Sequence, residues 1–198
     1  MSPETVLPLV VFALASSVTP GGATTMATAS GAHFGFRRSI PLMAGIAAGL
    51  ASMAAAAAAG LAGVLEAMPS LQLVLKTVGS AYLLWLAWKV GRSGQPRLDA
   101  DLVRPTSFTA GVWLLWLNPK AWAMTLGASA SFATLASGPA RLSILLALAF
   151  GFAATASVSI WCTAGTLMAR LIRTEAQWRW VNMGLGILLA LSILPVWL

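Results

Sequence analysis

The residues best placed to do chemistry surround two prolines, each of which lies inside a long apolar segment of the chain. The two pairs are Thr19-Pro20 and Asn118-Pro119. A residue that precedes proline is driven out of the α region, so a helix rarely continues through it. The side chains of threonine and asparagine can cap a helix by accepting hydrogen bonds from its first turn. Proline itself is favoured at the first helical position. Each pair therefore predicts a helix that begins again within an apolar segment.

Helix restarts of this kind predict a binding place for an anion. A helix N-terminus presents free N–H groups and about half a positive charge, and Gly21 and Gly22 loosen the first break further. Lys120 follows the second break directly and lies 11 residues beyond Thr109, a depth of about 17 Å at the helical rise per residue. A cation near the middle of a bilayer costs about 2.5 to 3.5 kcal/mol and normally faces a cavity or a partner.

The predicted chemistry is the binding of a carboxylate or a similar group. The candidate substrate contacts at the two breaks are Thr19, Pro20, Gly21, Gly22, Asn118, Pro119 and Lys120. The alternative is that both breaks are packing kinks, because proline is tolerated in membrane helices. We favour a substrate site, since the two prolines occupy corresponding places and one is followed by an intramembrane lysine.

Two further residues are candidate substrate contacts that have an equally good structural explanation. Lys76 lies about 12 Å into its apolar segment, where a lysine side chain can still reach the membrane surface. Tyr82, which is the single tyrosine of the chain, can hydrogen-bond a ligand or simply pack.

The composition excludes several classes of protein. Of the 198 residues, 59% are hydrophobic and 9% are charged, whereas soluble domains carry about 25% charged residues. One cysteine and one histidine cannot form a disulfide or a metal cage, so we expect no cofactor and no metal. The net charge of +7 is spread between apolar runs and does not form a nucleic-acid groove. An enzyme is not expected, because no cluster of His, Asp or Glu lies in the apolar segments.

The apolar segments predict an all-α polytopic membrane protein with six transmembrane helices, since each crossing needs about 20 residues. Arg37-Arg38 predicts a basic turn between the first two spans. We expect a single membrane domain over 1–198. It would contain a first three-helix repeat at 1–90, a cytoplasmic linker at 91–107 and a second three-helix repeat at 108–198.

The positions of the basic residues predict the orientation of these spans. With six crossings, the connections after spans 1, 3 and 5 hold nine basic residues, and the opposite face holds only Arg141. The nine are Arg37, Arg38, Lys89, Arg92, Arg97, Arg104, Arg170, Arg173 and Arg179. The positive-inside rule then makes the basic face cytoplasmic and places both termini outside.

The spacing of the prolines predicts an inverted repeat. Pro20 and Pro119 lie 99 residues apart, which is half of the chain. With three spans in each half, the second half enters the membrane from the opposite side, as in many secondary transporters. The two restarted helices would then meet near the midplane.

Three motifs resemble those of the lysine exporter and homoserine-threonine exporter (LysE/RhtB-type) family of amino-acid efflux transporters. They are Thr19-Pro20-Gly21, the block KTVGSAYLLWLAWK at 76–89, and Asn118-Pro119-Lys120-Ala121. The likeness covers essentially the whole chain. Where family members usually have Pro-Asn, this chain has Gly22-Ala23, a departure that concerns the identity of the substrate.

The resemblance implies a secondary transporter that exports amino acids or close derivatives through the bacterial inner membrane by proton antiport. We expect alternating access around a midplane site, with the lipid bilayer, protons and an amino-acid-like substrate as partners. Lys120 and a water path are both candidate proton routes. One alternative is a passive channel, because broken helices also build selectivity filters. Another is the export of a different small molecule. Faces of small residues would allow a homodimer.

Overall fold

A computed structural model describes residues 3–92 and 107–197, and within these ranges the chain is almost entirely helical and contains no strand. This confirms the all-α prediction. Most of the expected linker at 91–107 lies outside the described residues, as do Arg97 and Arg104.

Nine α-helices follow one another along the described chain. They are α1 (Pro3–Val18), α2 (Gly22–Ala56), α3 (Ala62–Ala67), α4 (Pro69–Gly91), α5 (Phe108–Trp116), α6 (Pro119–Ser131), α7 (Pro139–Leu171), α8 (Glu175–Leu191) and α9 (Leu194–Trp197). A π-helical turn at Ala57–Leu61 joins α2 to α3, and a 3₁₀ turn at Ala133–Leu135 follows α6. Three stretches are long and apolar enough to cross a membrane, at Gly22–Leu65, Pro69–Gly91 and Pro139–Leu171.

The two predicted helix breaks are present. The first separates α1 from α2, and the second separates α5 from α6. At the second break Asn118 caps α6, because its Oδ1 accepts a hydrogen bond from the backbone N–H of Lys120 at 3.0 Å. Pro119 occupies the first helical position, so the local geometry is the one expected from the Asn-Pro pair.

At the first break the predicted capping is wrong. The helix begins again at Gly22 and not at Pro20. The hydroxyl of Thr19 donates to the carbonyl of Ala15 at 2.8 Å and so belongs to the end of α1. The cap comes instead from Thr24, whose Oγ1 accepts from the backbone N–H of Gly21 at 2.8 Å. A threonine hydroxyl bonds readily to the carbonyl four residues earlier, and this bond competes with capping of the next helix.

Helix α2 contains a reversal of the chain at Gly35. This residue has φ 74° and ψ 171°, a conformation open to glycine but not to other residues. The hydroxyls of Ser30 and Ser39 lie 2.8 Å apart, whereas nine residues of straight helix would separate them by about 13.5 Å. The predicted turn at Arg37-Arg38 therefore lies two residues earlier, because glycine adopts this conformation more easily than arginine.

At the contacts of α2, four glycines sit directly against the backbone of a neighbouring helix, where a Cβ atom would overlap the facing residue. The pairs are Gly31 with Cys162 and Gly165 with Thr28 between α2 and α7, and Gly45 with Phe108 and Gly111 with Leu42 between α2 and α5. Close backbone approach of this kind is typical of packed membrane helices. It holds α5 and α7 against the two halves of α2.

The outward faces of α7 and α8 carry large apolar side chains. Leu148 and Trp180 are each 69% exposed, whereas Leu146 and Phe150 on the inner side of α7 are fully buried. A soluble helix would place polar residues on its outer face. The apolar outer faces are those expected for contact with lipid.

Candidate functional site

The two helix breaks lie side by side and enclose a pocket with about 400 Å³ of empty space, including its open mouth. Five predicted site residues line it, namely Thr19, Gly21, Gly22, Asn118 and Lys120. Residues that are about 100 positions apart in the chain thus form one site.

Lys120 bridges the two breaks. Its Nζ donates to the carbonyl of Thr19 at 2.7 Å and to the carbonyl of Pro20 at 3.4 Å. The C-terminal end of a helix carries partial negative charge, so the ammonium group is stabilised at the end of α1. No carboxylate pairs with it among the described side chains. Because an ammonium group has three donors, one is left for a ligand.

Two side chains of α7 satisfy two further carbonyls at the end of α1. Ser157 Oγ donates to the carbonyl of Ser17 at 2.7 Å, and Trp161 Nε1 donates to that of Val18 at 3.0 Å. A helix leaves its last carbonyls without internal partners, and such groups are costly to expose to lipid. Sequence reasoning missed both side chains, because nothing in the local pattern links residues about 140 positions apart.

The two restarted helices differ at their N-termini. In α6, the N–H of Lys120 bonds to Asn118 Oδ1 and the N–H of Ala121 bonds to the Asn118 carbonyl at 3.0 Å. Since Pro119 has no N–H, the first turn of α6 has no free donor. The expectation of free N–H groups at both breaks is therefore wrong for the second one, where the positive charge comes from Lys120 alone.

At the first break, backbone N–H donors remain that could bind a ligand. The N–H groups of Gly22, Ala23 and Thr24 belong to the first turn of α2, where a helix offers no internal acceptor. All three residues line the pocket. A partial positive charge at the start of α2 and the full charge of Lys120 thus act on the same space.

Glycines allow the breaks and α4 to approach one another closely. A Cβ on Gly22 would lie 3.3 Å from Asn118 Nδ2 and 3.0 Å from Leu83 of α4. A Cβ on Gly79 of α4 would overlap the carbonyl of Leu117, just before the second break. Part of the 76–89 motif therefore supports the second break through packing.

Four predicted substrate contacts lie outside the pocket lining, namely Pro20 and Pro119 at the breaks and Lys76 and Tyr82 on α4. Lys76 is half-buried. The ring of Tyr82 stacks on that of Trp85 with centroids 6.0 Å apart. Pro20 and Pro119 shape the breaks without lining the pocket.

Hydroxyl groups and apolar side chains complete the wall of the pocket. The hydroxyl-bearing residues, besides Thr19, are Ser16, Ser17, Thr24 and Ser157. Apolar residues include Ile46, Leu50, Leu115, Met124 and Val158. One cation, free backbone donors, hydroxyls and an apolar wall suit the binding of a small molecule that carries a carboxylate.

Comparisons with known proteins agree with this chemistry. Residues 14–192 match the family model described as LysE type translocator. A cysteine/O-acetylserine efflux protein of Escherichia coli (strain K12) is 29% identical over 193 residues, which cover 96% of this chain and 95% of the relative. A protein of the same description from Klebsiella pneumoniae is 30% identical over 120 residues, 61% of each chain. No solved structure matches.

Proposed function

The chain belongs to the LysE type translocator family, whose members are efflux transporters and not enzymes, and from that premise we propose that it exports small amino acids or their close derivatives from the cytoplasm. The observation that carries the proposal is the pocket that the two helix breaks form around Lys120. Because the relatives are described as cysteine/O-acetylserine efflux proteins, these two compounds are the first substrates to test.

We propose that the substrate carboxylate binds between the third N–H of the Lys120 ammonium and the first-turn N–H groups of α2. The amide of Asn118 lies beside Gly22 and supplies a further donor, while Thr19 and Gly21 form the adjoining wall. Pro20 and Pro119 act by holding the breaks open. Lys76 and Tyr82 are left out of the proposed contacts.

The proposed topology has six crossings. The first is α1 with 22–34, the second is 36–67, the third is α4, the fourth is α5 with α6, and the last two are α7 and α8. The reversal at Gly35 supports the separation of the first two crossings. The halves 1–90 and 108–198 would be inverted repeats, joined by the cytoplasmic linker at 91–107.

Helix directions support this topology. Phe12 and Phe150 are in ring contact at 6.4 Å, and five residues after Phe12 the carbonyl of Ser17 accepts from Ser157, so α7 runs parallel to α1. By contrast, Ser143 donates to the carbonyl of Ala55 at 3.0 Å, and Gly151 packs against Ala51. α7 is therefore antiparallel to the second segment of α2. Crossings 1 and 5 should share a direction, and crossings 2 and 5 should oppose one another.

In the proposed mechanism, access alternates as the contact between the breaks opens and closes. The substrate carboxylate competes with the carbonyls of Thr19 and Pro20 for the Lys120 ammonium. Proton antiport supplies the driving force. Lys120 is the one ionisable side chain among the described residues that line the pocket, so it is the first candidate to couple protons to transport.

The test is uptake of labelled amino acids into inverted membrane vesicles, with and without a proton gradient. The panel includes cysteine and O-acetylserine, and the variants are Lys120→Met and Lys76→Met. Both substitutions remove a half-buried lysine, but only Lys120 lines the pocket. We expect gradient-dependent accumulation by the parent and by Lys76→Met, and none by Lys120→Met despite normal insertion.

Other outcomes would point to the alternatives. Movement only down a concentration gradient would indicate a passive channel. Absence of transport for the entire panel would indicate export of a different small molecule, in keeping with Gly22-Ala23 at the first break. Equal transport by Lys120→Met and the parent would contradict the role proposed for Lys120.

A further inference from the structure

One residue that lines the pocket, Ser17, carries a hydroxyl that has no hydrogen-bond partner among the residues that the structure describes. The Oγ atom of Ser17 is buried, and no hydrogen bond reaches it from any described residue. Among the buried side-chain oxygens and nitrogens of the described residues, it is the one atom without a hydrogen-bond partner. Buried polar groups are rarely left unpaired, so this exception needs an explanation.

Neighbouring hydroxyls show what Ser17 would do in an ordinary helix. Ser16 donates to the carbonyl of Phe12 at 2.7 Å, and Thr19 donates to that of Ala15 at 2.8 Å. The corresponding acceptor for Ser17 is the carbonyl of Ala13. Ser16 already contacts that oxygen at 3.2 Å, in addition to its place in the helix ladder. The hydroxyl of Ser17 therefore forms no hydrogen bond to a carbonyl of its own helix.

The backbone around Ser17 is nevertheless fixed. Its carbonyl accepts from Ser157 of α7 at 2.7 Å, which holds this part of α1 in place. Two residues further on, the carbonyl of Thr19 lies 2.7 Å from Lys120 Nζ. A residue with an unpaired, buried hydroxyl thus lines the pocket of the proposed carboxylate site, on a backbone that a hydrogen bond from α7 holds in place.

We propose that Ser17 is a specificity-determining residue whose hydroxyl hydrogen-bonds an uncharged polar group on the side chain of the substrate. The inference rests on the proposed function, since it assumes that the pocket binds an amino acid. The substrate class is then small amino acids that carry a hydroxyl, thiol or carbonyl group near the carboxylate. An apolar substrate of the same shape leaves the hydroxyl unpaired, and a site built to bond a polar group rejects such an analogue.

The test compares a polar substrate with its apolar isostere. Serine and 2-aminobutyrate differ by a hydroxyl in place of a methyl group, and each competes for gradient-driven uptake of labelled substrate into inverted vesicles. We expect the parent to favour serine and Ser17→Ala to lower this preference by about threefold to tenfold, the range of one hydrogen bond. Thr155→Ala is the control, because Thr155 is exposed on α7 and bonds to its own helix at 2.8 Å.

A second readout separates recognition from structure. Since Ser17 Oγ has no hydrogen-bond partner within 3–92 and 107–197, Ser17→Ala should unfold at the same temperature as the parent in detergent. Serine should raise the melting temperature of the parent more than that of the variant. An unchanged preference in an actively transporting Ser17→Ala would overturn the inference. A parent that transports no amino acid would overturn the proposed function instead.

Discussion

Lys120 connects the two helix breaks through its ammonium group, and the proposed carboxylate contact uses the same group. Placing a cation at mid-membrane depth costs about 2.5 to 3.5 kcal/mol, and hydrogen bonds to a charged donor contribute about 1.5 to 3 kcal/mol each. The carbonyls of Thr19 and Pro20 therefore suffice to hold the ammonium group at the break. In the proposed site, a substrate has to offer an acceptor at least as good as these carbonyls, which favours a carboxylate over a neutral group.

Asn118 gives a test at the same scale. Asn118→Ala removes the acceptor for the N–H of Lys120, and loss of a cap costs about 1 kcal/mol. We expect a lower melting temperature in detergent. Asn118→Ser retains an oxygen that can cap and should stay close to the parent. Equal destabilisation by both substitutions would contradict the capping role and assign the effect to packing.

Local sequence accounts for part of this site and tertiary contacts for the rest. Asn118-Pro119-Lys120 was predicted in detail, because the cap, the proline and the lysine are consecutive. The prediction that Thr19 caps the second helix is wrong, since its hydroxyl bonds to the carbonyl of Ala15 in α1 while Thr24 bonds to Gly21. Ser17 and Ser157 carry no sequence signal, because serine is common in membrane helices and only the packing of α1 on α7 reveals their roles.

At the scale of elements, α7 is the support of the first break. Ser157 and Trp161 lie one turn apart and donate to consecutive carbonyls, those of Ser17 and Val18. The second break is supported differently. Trp122 Nε1 donates to the carbonyl of Trp116 at 2.8 Å within its own span. Movement of α7 would thus disturb the first break more than the second.

The glycine contacts between helices give a prediction for the elements. Gly31→Ala introduces a Cβ that overlaps the backbone of Cys162. Because a carbonyl cannot rotate away as a side chain can, α2 and α7 must separate, and overpacking of this kind costs about 1 to 3 kcal/mol. We expect a clear fall in the melting temperature and in the yield of folded protein.

Gly127→Ala is the matched control, since a Cβ at Gly127 of α6 meets nothing within 4 Å. Alanine also has a higher helix propensity than glycine, by about 1 kcal/mol, so this variant should be as stable as the parent or more so. Equal stability of Gly31→Ala and Gly127→Ala would show that α2 and α7 do not touch as described.

At the scale of the whole molecule, the proposed six crossings place Arg141 on one face of the membrane and the nine basic residues of the cytoplasmic connections on the other. Ala140→Cys and Ala176→Cys report on these faces, because both alanines are exposed, one beside Arg141 and one between Arg173 and Arg179. In intact cells, a membrane-impermeant maleimide should label Ala140→Cys but not Ala176→Cys. In inverted vesicles the pattern should reverse. The parent serves as the unlabelled control, since its single cysteine, Cys162, is buried.

Labelling of both cysteines from one side would contradict the six-crossing arrangement, and an exchanged pattern would contradict its orientation. Apolar segments and their basic connections can be located in the sequence because charge and hydropathy are local, whereas the six crossings stay a prediction. The sequence placed the first turn at Arg37-Arg38, whereas the reversal occurs at Gly35. The charge pattern marked the connection between the two segments, but it did not show that the chain reverses at Gly35 and not at the arginines beside it.

The glycine contacts of α2 also bear on how the gene can vary. Every amino acid except glycine carries a Cβ, so each missense codon at positions 31, 45, 111 or 165 introduces an atom where a neighbouring backbone already lies. In a saturation library selected for folded protein, we expect these four codons to retain only synonymous changes. None of the four residues lines the pocket. The least mutable codons of this chain are therefore expected to encode residues that never meet the substrate.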